Sequence, residues 1–168
     1  MKGGPAGGAA AAGAAGSDAR LAAIYQDIIL DHYRRPRGKG VLDAPDGAEV
    51  LAAERRNPLC GDEISLQLAL DGDVVREARF TGQGCSISQA SASMLTQAVK
   101  GKTRAEAEAL VRRFVALAHG DAEAAADKSM GELRALQGVA RFPARIRCAT
   151  LAWGALDDAL KAGAAAER

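Results

Sequence analysis

Aromatic residues are scarce in this 168-residue chain: one Trp, two Tyr and three Phe, 4% of the whole. That leaves too few rings to build platforms on which nucleic-acid bases stack. An excess of either charge is also missing. Twenty-two Lys and Arg face 21 Asp and Glu, a formal net charge of +1, so no overall field draws the chain to a polyanion. Long apolar runs are absent. The longest uncharged stretch, Phe80 to Val99, is interrupted by Thr81, Gln83, Ser86, Ser88, Gln89, Ser91, Ser93, Thr96 and Gln97, too much polarity for a membrane-spanning helix. The N-terminus, Met1 to Gly16, is almost entirely Ala and Gly and lacks the leucine-like block of a signal peptide. It reads as a disordered tail over 1–16, ahead of a single domain over 17–163, and the expected location is cytoplasmic. Cysteine is rare too. Three cysteines make no disulfide framework in that compartment, which leaves metal ligation, thiol chemistry or inert burial.

What is present is a strong periodic pattern, with 48% hydrophobic residues to build a core. Leu21, Ile24, Tyr25 and Ile28 recur at helical spacing, with Ser17 or Asp18 as cap and Pro36 as stop. Residues 35–47, rich in Pro and Gly, read as a loop, and Val50 to Ala53 as a weak strand. Ile64, Leu66, Leu68 and Leu70 alternate with polar or small residues up to Asp71-Gly72, and Val74, Arg76, Ala78 and Phe80 share a parity beyond it. This predicts an antiparallel hairpin over 63–70 and 74–81. Helices are expected over 88–100, from the capping pair Thr103 and Glu106 to Gly120, from a second pair Ser129 and Glu132 to Leu136, and from about Cys148 onward. The fold class is therefore α+β, a small three-stranded antiparallel sheet packed against helices.

The chemistry-bearing residues fall at element ends. Cys60 and Asp62 flank Gly61 just before the hairpin, and in extended backbone residues two apart point the same way. Cys85 follows the second hairpin strand and Cys148 opens the last helix, places where a helix N-terminus favours thiolate. The hairpin joins the first two sites at its open end. Three thiolates and one carboxylate match the four-donor preference of zinc, and Arg145 and Arg147 offer charge to offset the anionic set. Spacing alone leaves three inert buried cysteines as an equal alternative. Their Gly and Arg neighbours favour the metal.

The segments Tyr25-Gln26-Asp27-Ile28-Ile29-Leu30-Asp31-His32-Tyr33, Asn57-Pro58-Leu59-Cys60-Gly61-Asp62, Gly82-Gln83-Gly84-Cys85-Ser86-Ile87-Ser88 and Phe142-Pro143-Ala144-Arg145-Ile146-Arg147-Cys148 resemble the IscU-type family of iron–sulfur assembly proteins, and its SufU branch closely. Arg147 stands where IscU-like scaffolds carry a histidine, and the capped helix from Thr103 looks like the insertion of the SufU branch. The resemblance implies an IscU/SufE-like fold and zinc held by Cys60, Asp62, Cys85 and Cys148. It implies sulfur taken from a SufS-like, pyridoxal-phosphate-dependent cysteine desulfurase and passed to downstream iron–sulfur assembly proteins. By the same carry-over a desulfurase histidine displaces Cys60 from zinc, Cys60 accepts the persulfide sulfur, and Arg145 pairs with the ligand Asp on docking. No nucleic-acid or membrane partner is implied.

Two rival functions remain at this stage. One is a scaffold that builds a [2Fe–2S] cluster on the same ligands; the other is a purely structural zinc module. His32 and His119 are read as capping or docking residues rather than ligands, the serines after Cys85 as packing and capping groups, and Arg34, Arg35, Arg37 and Lys39 as a solvated basic loop or a docking patch.

Overall fold

The computed structural model describes the backbone of residues 8–166 and the side chains of residues 19–164. Helix α1 spans Gly8–Arg34, so it begins well before Ser17. Residues 8–16, expected in the tail, form its first turns, in keeping with the high helix propensity of alanine; the rest of that expected tail, residues 1–7, lies outside the described residues.

A three-stranded antiparallel sheet follows in the order β1 (Glu49–Asn57), β2 (Asp62–Asp71), β3 (Val74–Gln83). The weak strand signal at Val50 belongs to a nine-residue strand, whose charged second half hid it from the pattern. The inward set on β2 is as expected: Ile64, Leu66, Leu68 and Leu70 are buried. On β3 the inward residues are Val75, Ala78 and Phe80 rather than Val74, Arg76, Ala78 and Phe80. A bulge between Ala69 and Leu70 shifts the pairing so that Leu70 faces Val75, and an extra residue reverses the parity of what precedes it. Loop 35–47 clings to the free edge of β3, where Gly40 N–H donates to the Phe80 carbonyl and Phe80 N–H to the Gly38 carbonyl, both at 2.8 Å.

Helices α2 (Ser86–Val99), α3 (Arg104–Ala118) and α4 (Ala122–Ala126) lead to a 3₁₀-helix (Lys128–Arg141) and α5 (Pro143–Ala166). Thr103 caps α3 as its spacing predicts, accepting from the Glu106 N–H. The second expected box is replaced. Asp127, not Ser129, caps the next segment, a 3₁₀-helix interrupted by a kink at Gly131, whose φ 54° and ψ −132° are not helical. Pro143 does not break the chain but opens α5, since proline suits the first helical position, where no N–H is needed.

The core lies between the inward face of the sheet and α2, α3 and α5. Trp153 stacks on Phe114 with ring centroids 4.4 Å apart. Helix α2 is buried almost all round, and most of its polar side chains find partners inside the protein, although Gln89 Nε2 has none among the described residues. Ser91 Oγ donates to the Ala149 carbonyl at 2.6 Å and accepts from Trp153 Nε1 at 3.0 Å. This packing sets the origin of α5 against α2, and with it the spacing of Cys148 from Cys85. Among the described residues no helix is long and apolar enough to cross a membrane.

Candidate metal centre

The β1–β2 connection is a tight turn. Asn57 pairs with Asp62 across the strands, and the N–H groups of Cys60 and Gly61 both donate to the Asn57 carbonyl, at 3.3 and 2.9 Å. Gly61 takes a left-handed φ of 71°, which glycine adopts without a Cβ penalty. Cys60 and Asp62 therefore face one point because the chain turns, not because it is extended, as the alternation argument has it. Cys60 is exposed at the tip, while Asp62 is 2% exposed at the root of β2.

Cys85 is the N-cap of α2, as expected, and its N–H donates to Asp62 Oδ1 at 3.0 Å. Its sulfur lies 3.7 Å from Asp62 Oδ2. Cys148 departs from expectation. It sits in the second turn of α5, buried, because the helix starts at Pro143. Burial pushes its thiol pKa up, and Asp62 and Cys85 beside it push the same way, the opposite of the activation expected at a helix end. The Asp62 carboxyl behaves conversely: burial raises its pKa, but hydrogen bonds from Cys60, Cys148 and Cys85 outweigh that and hold it below the usual carboxylate range.

The donor atoms of Cys60, Asp62 and Cys148 lie within 4.8 Å of one another. Cys60 Sγ is 3.1 Å from Asp62 Oδ2 and 3.7 Å from Cys148 Sγ. Two sulfurs bound to one zinc at about 2.3 Å with tetrahedral angles would be about 3.7 Å apart, and a sulfur and a carboxylate oxygen roughly 3.5 Å. The observed sulfur–sulfur edge of 3.7 Å has this length, and the sulfur–oxygen edge of 3.1 Å is shorter, as a thiol–carboxylate hydrogen bond is. The donors also fit by charge. A buried carboxylate among thiols, ionised and with no Lys or Arg on it among the described residues, is a site whose negative charge a cation would stabilise further.

The other expected residues fall outside the cluster. Arg145 and Arg147 are exposed. Arg145 edges a groove with Tyr25, Ile29, Ile87, Val139 and Phe142, and Asp62 takes its bonds from the cysteines instead. His32 is 2% exposed and neither caps a helix nor meets solvent. Its Nδ1 is 2.7 Å from Ser93 Oγ and its Nε2 is 2.7 Å from Glu132 Oε2, so it ties α1 to α2 and to the 3₁₀-helix. His119 is the C-cap of α3. Arg35 and Arg37 both bond to Asp31, which explains half of the basic cluster as local structure. The Asp62 carboxylate also passes over the Cα of Gly84, a contact that no local pattern in the sequence marks.

Known proteins share this fold and sequence. The chain is 47% identical over 140 residues to the zinc-dependent sulfurtransferase SufU of Bacillus subtilis, covering 83% of this chain and 91% of that one. It is 45% identical over 148 residues to the iron–sulfur cluster assembly scaffold protein IscU of Streptococcus pyogenes, covering 88% and 89%. A crystal structure of a hypothetical protein superposes with a TM-score of 0.72 at 45% identity, over 82% of this chain and 97% of that one. The NifU-like N-terminal domain profile matches residues 24–162, which take in the whole sheet, most of the helices, the clustered Cys60, Asp62 and Cys148, and Cys85 beside Asp62. The chain belongs to the NifU-like N-terminal domain family.

Proposed function

We propose that this protein is a zinc-dependent sulfurtransferase that accepts persulfide sulfur from a SufS-like, pyridoxal-phosphate-dependent cysteine desulfurase and hands it on to iron–sulfur cluster assembly proteins in the cytoplasm. Cys60, Asp62, Cys85 and Cys148 hold the zinc, and Cys60 is the acceptor. The observation that carries the reading is the asymmetry of the cluster: Cys60 alone is exposed, on a turn whose neighbour Leu59 is 76% exposed, while Asp62 and Cys148 are buried. The name of the Bacillus subtilis relative supports the same activity. Free thiols fit a reducing compartment.

When bound, zinc would keep the thiols deprotonated and, having a fixed valence, would tolerate exchange of a ligand without redox change. The chain's own residues do the rest. The Cys60 thiolate attacks the outer sulfur of the donor persulfide; a new S–S bond forms on Cys60, the donor's S–S bond breaks, and the donor cysteine leaves as thiolate. Asp62, anchored by the Cys85 N–H, keeps its second oxygen facing Cys60. Exposed Phe142 and Arg145, near the start of α5, offer apolar and cationic contacts to the partner, Arg145 in the role of pairing during docking.

The test is desulfurase turnover with and without the zinc-loaded protein, alongside its zinc content. Stimulation by the wild type and none by a folded Cys60→Ala is expected; no stimulation by the zinc-loaded wild type refutes the proposal. The relative named as a scaffold keeps a second reading in view, a [2Fe–2S] cluster on the same ligands. Anaerobic purification separates the two: a colourless zinc protein favours transfer, a brown one the scaffold.

A further inference from the structure

The segment Gly82-Gln83-Gly84 carries two glycines with different duties. Gly82 has φ 133°, and a Cβ on it would lie 2.1 Å from the Glu63 carbonyl oxygen. Its backbone and the β2–β3 pairing both demand glycine. Gly84 is not in the left-handed region, so its backbone accepts any residue. What forbids a side chain there is two other side chains: a Cβ would lie 2.4 Å from Ser88 Oγ, 2.5 Å from Asp62 Oδ1 and 2.8 Å from Asp62 Cγ.

Of these, the serine hydroxyl turns at little cost beyond its bond to the Cys85 carbonyl. The carboxylate has no such freedom. It is 2% exposed, and its Oδ1 is held by the N–H of Cys85, the residue next to Gly84. Any side chain at 84 therefore pushes Asp62 off that amide and turns its other oxygen away from the sulfurs of Cys60 and Cys85. We infer that Gly84 is a positioning residue for metal binding: its bare Cα is the space that lets Asp62 aim a carboxylate oxygen at the three sulfurs. This deepens the proposed function and rests on reading the cluster as a zinc site.

The experiment measures Zn²⁺ affinity by competition with a chromophoric chelator, and the visible spectrum of the Co²⁺-loaded protein, for the full chain and for Gly84→Ala, Asp62→Ala and the double variant. Melting of all four without metal completes the set. Gly84→Ala is expected to bind zinc about 10–100-fold more weakly, the range for losing a group that orients a ligand, with a shifted cobalt spectrum. In the Asp62→Ala background Gly84→Ala is expected to cost nothing further, because the side chain it displaces is gone. Gly120→Ala, strained at φ 93° on a turn after α3, serves as the control that loses stability without losing zinc affinity. Wild-type affinity in Gly84→Ala, or an equal loss with and without Asp62, overturns the inference. If Gly84→Ala does not fold, recovery of folding in the double variant supports it and no recovery overturns it. A wild type that binds no zinc refutes the metal reading instead, while the coupling between positions 84 and 62 is still read in the metal-free melting.

Discussion

At the scale of single residues, Cys148 and His32 show how position changes chemistry. Cys148 is held as a thiol by burial, so zinc binding must expel its proton. Calorimetric titration of Zn²⁺ in buffers of different ionisation enthalpy is expected to show proton release, reduced in Cys148→Ser. The sequence marks Cys60, Asp62, Cys85 and Cys148 because its pattern puts each near an element end beside Gly or Arg. It does not mark the depth of Cys148, which depends on α5 starting at Pro143. His32 is opaque for a different reason. Its partners Ser93 and Glu132 lie 61 and 100 residues away, and no local pattern encodes such a bridge. His32→Ala leaves buried Ser93 with one partner fewer, and a loss of about 1–3 kcal/mol is expected. Urea denaturation measures it, with zinc stoichiometry unchanged.

At the scale of elements, patterns of period two and 3.6 were readable wherever one face is apolar and the other polar. Strand β2 and helices α3 and α5 are of this kind. The pattern misleads where an extra residue enters the ladder, as at Ala69 and Leu70, or where 3₁₀ geometry replaces α-helix after Asp127. Helix α2 is the other hard case, since its polar residues are buried by partners on α1, α5 and the loop after α1. Ser91 is the most connected of them. Ser91→Ala strands the Trp153 indole N–H in the core and takes from the Ala149 carbonyl the bond it accepts besides its helical one, and a loss of about 1–3 kcal/mol is expected, read from tryptophan fluorescence during urea unfolding.

At the scale of the whole molecule, a small three-stranded antiparallel sheet packed against helices was legible as a class, whereas the gathering of Cys60, Asp62 and Cys148, with Cys85 beside Asp62, depends on tertiary packing that no local pattern encodes. Acid stability also belongs to this scale. The Asp31 carboxyl is held low by Arg37 and then Arg35, Asp158 by Arg55, and Asp127 chiefly by Ser129. A folded pKa below the unfolded value of about 3.9 means stability fully present above that pH and lost as pH falls through the folded values. The melting temperature is therefore expected to decline below about pH 4, with a shallower decline in Asp31→Asn. The graded burial of the three sulfurs, from the turn tip inward, has one more consequence. A thiol-alkylating reagent added to the metal-stripped protein meets a sequence of doors, opening first at Cys60, next at Cys85 and last at Cys148, so the order of mass-tagging in time reports how deep each ligand lies.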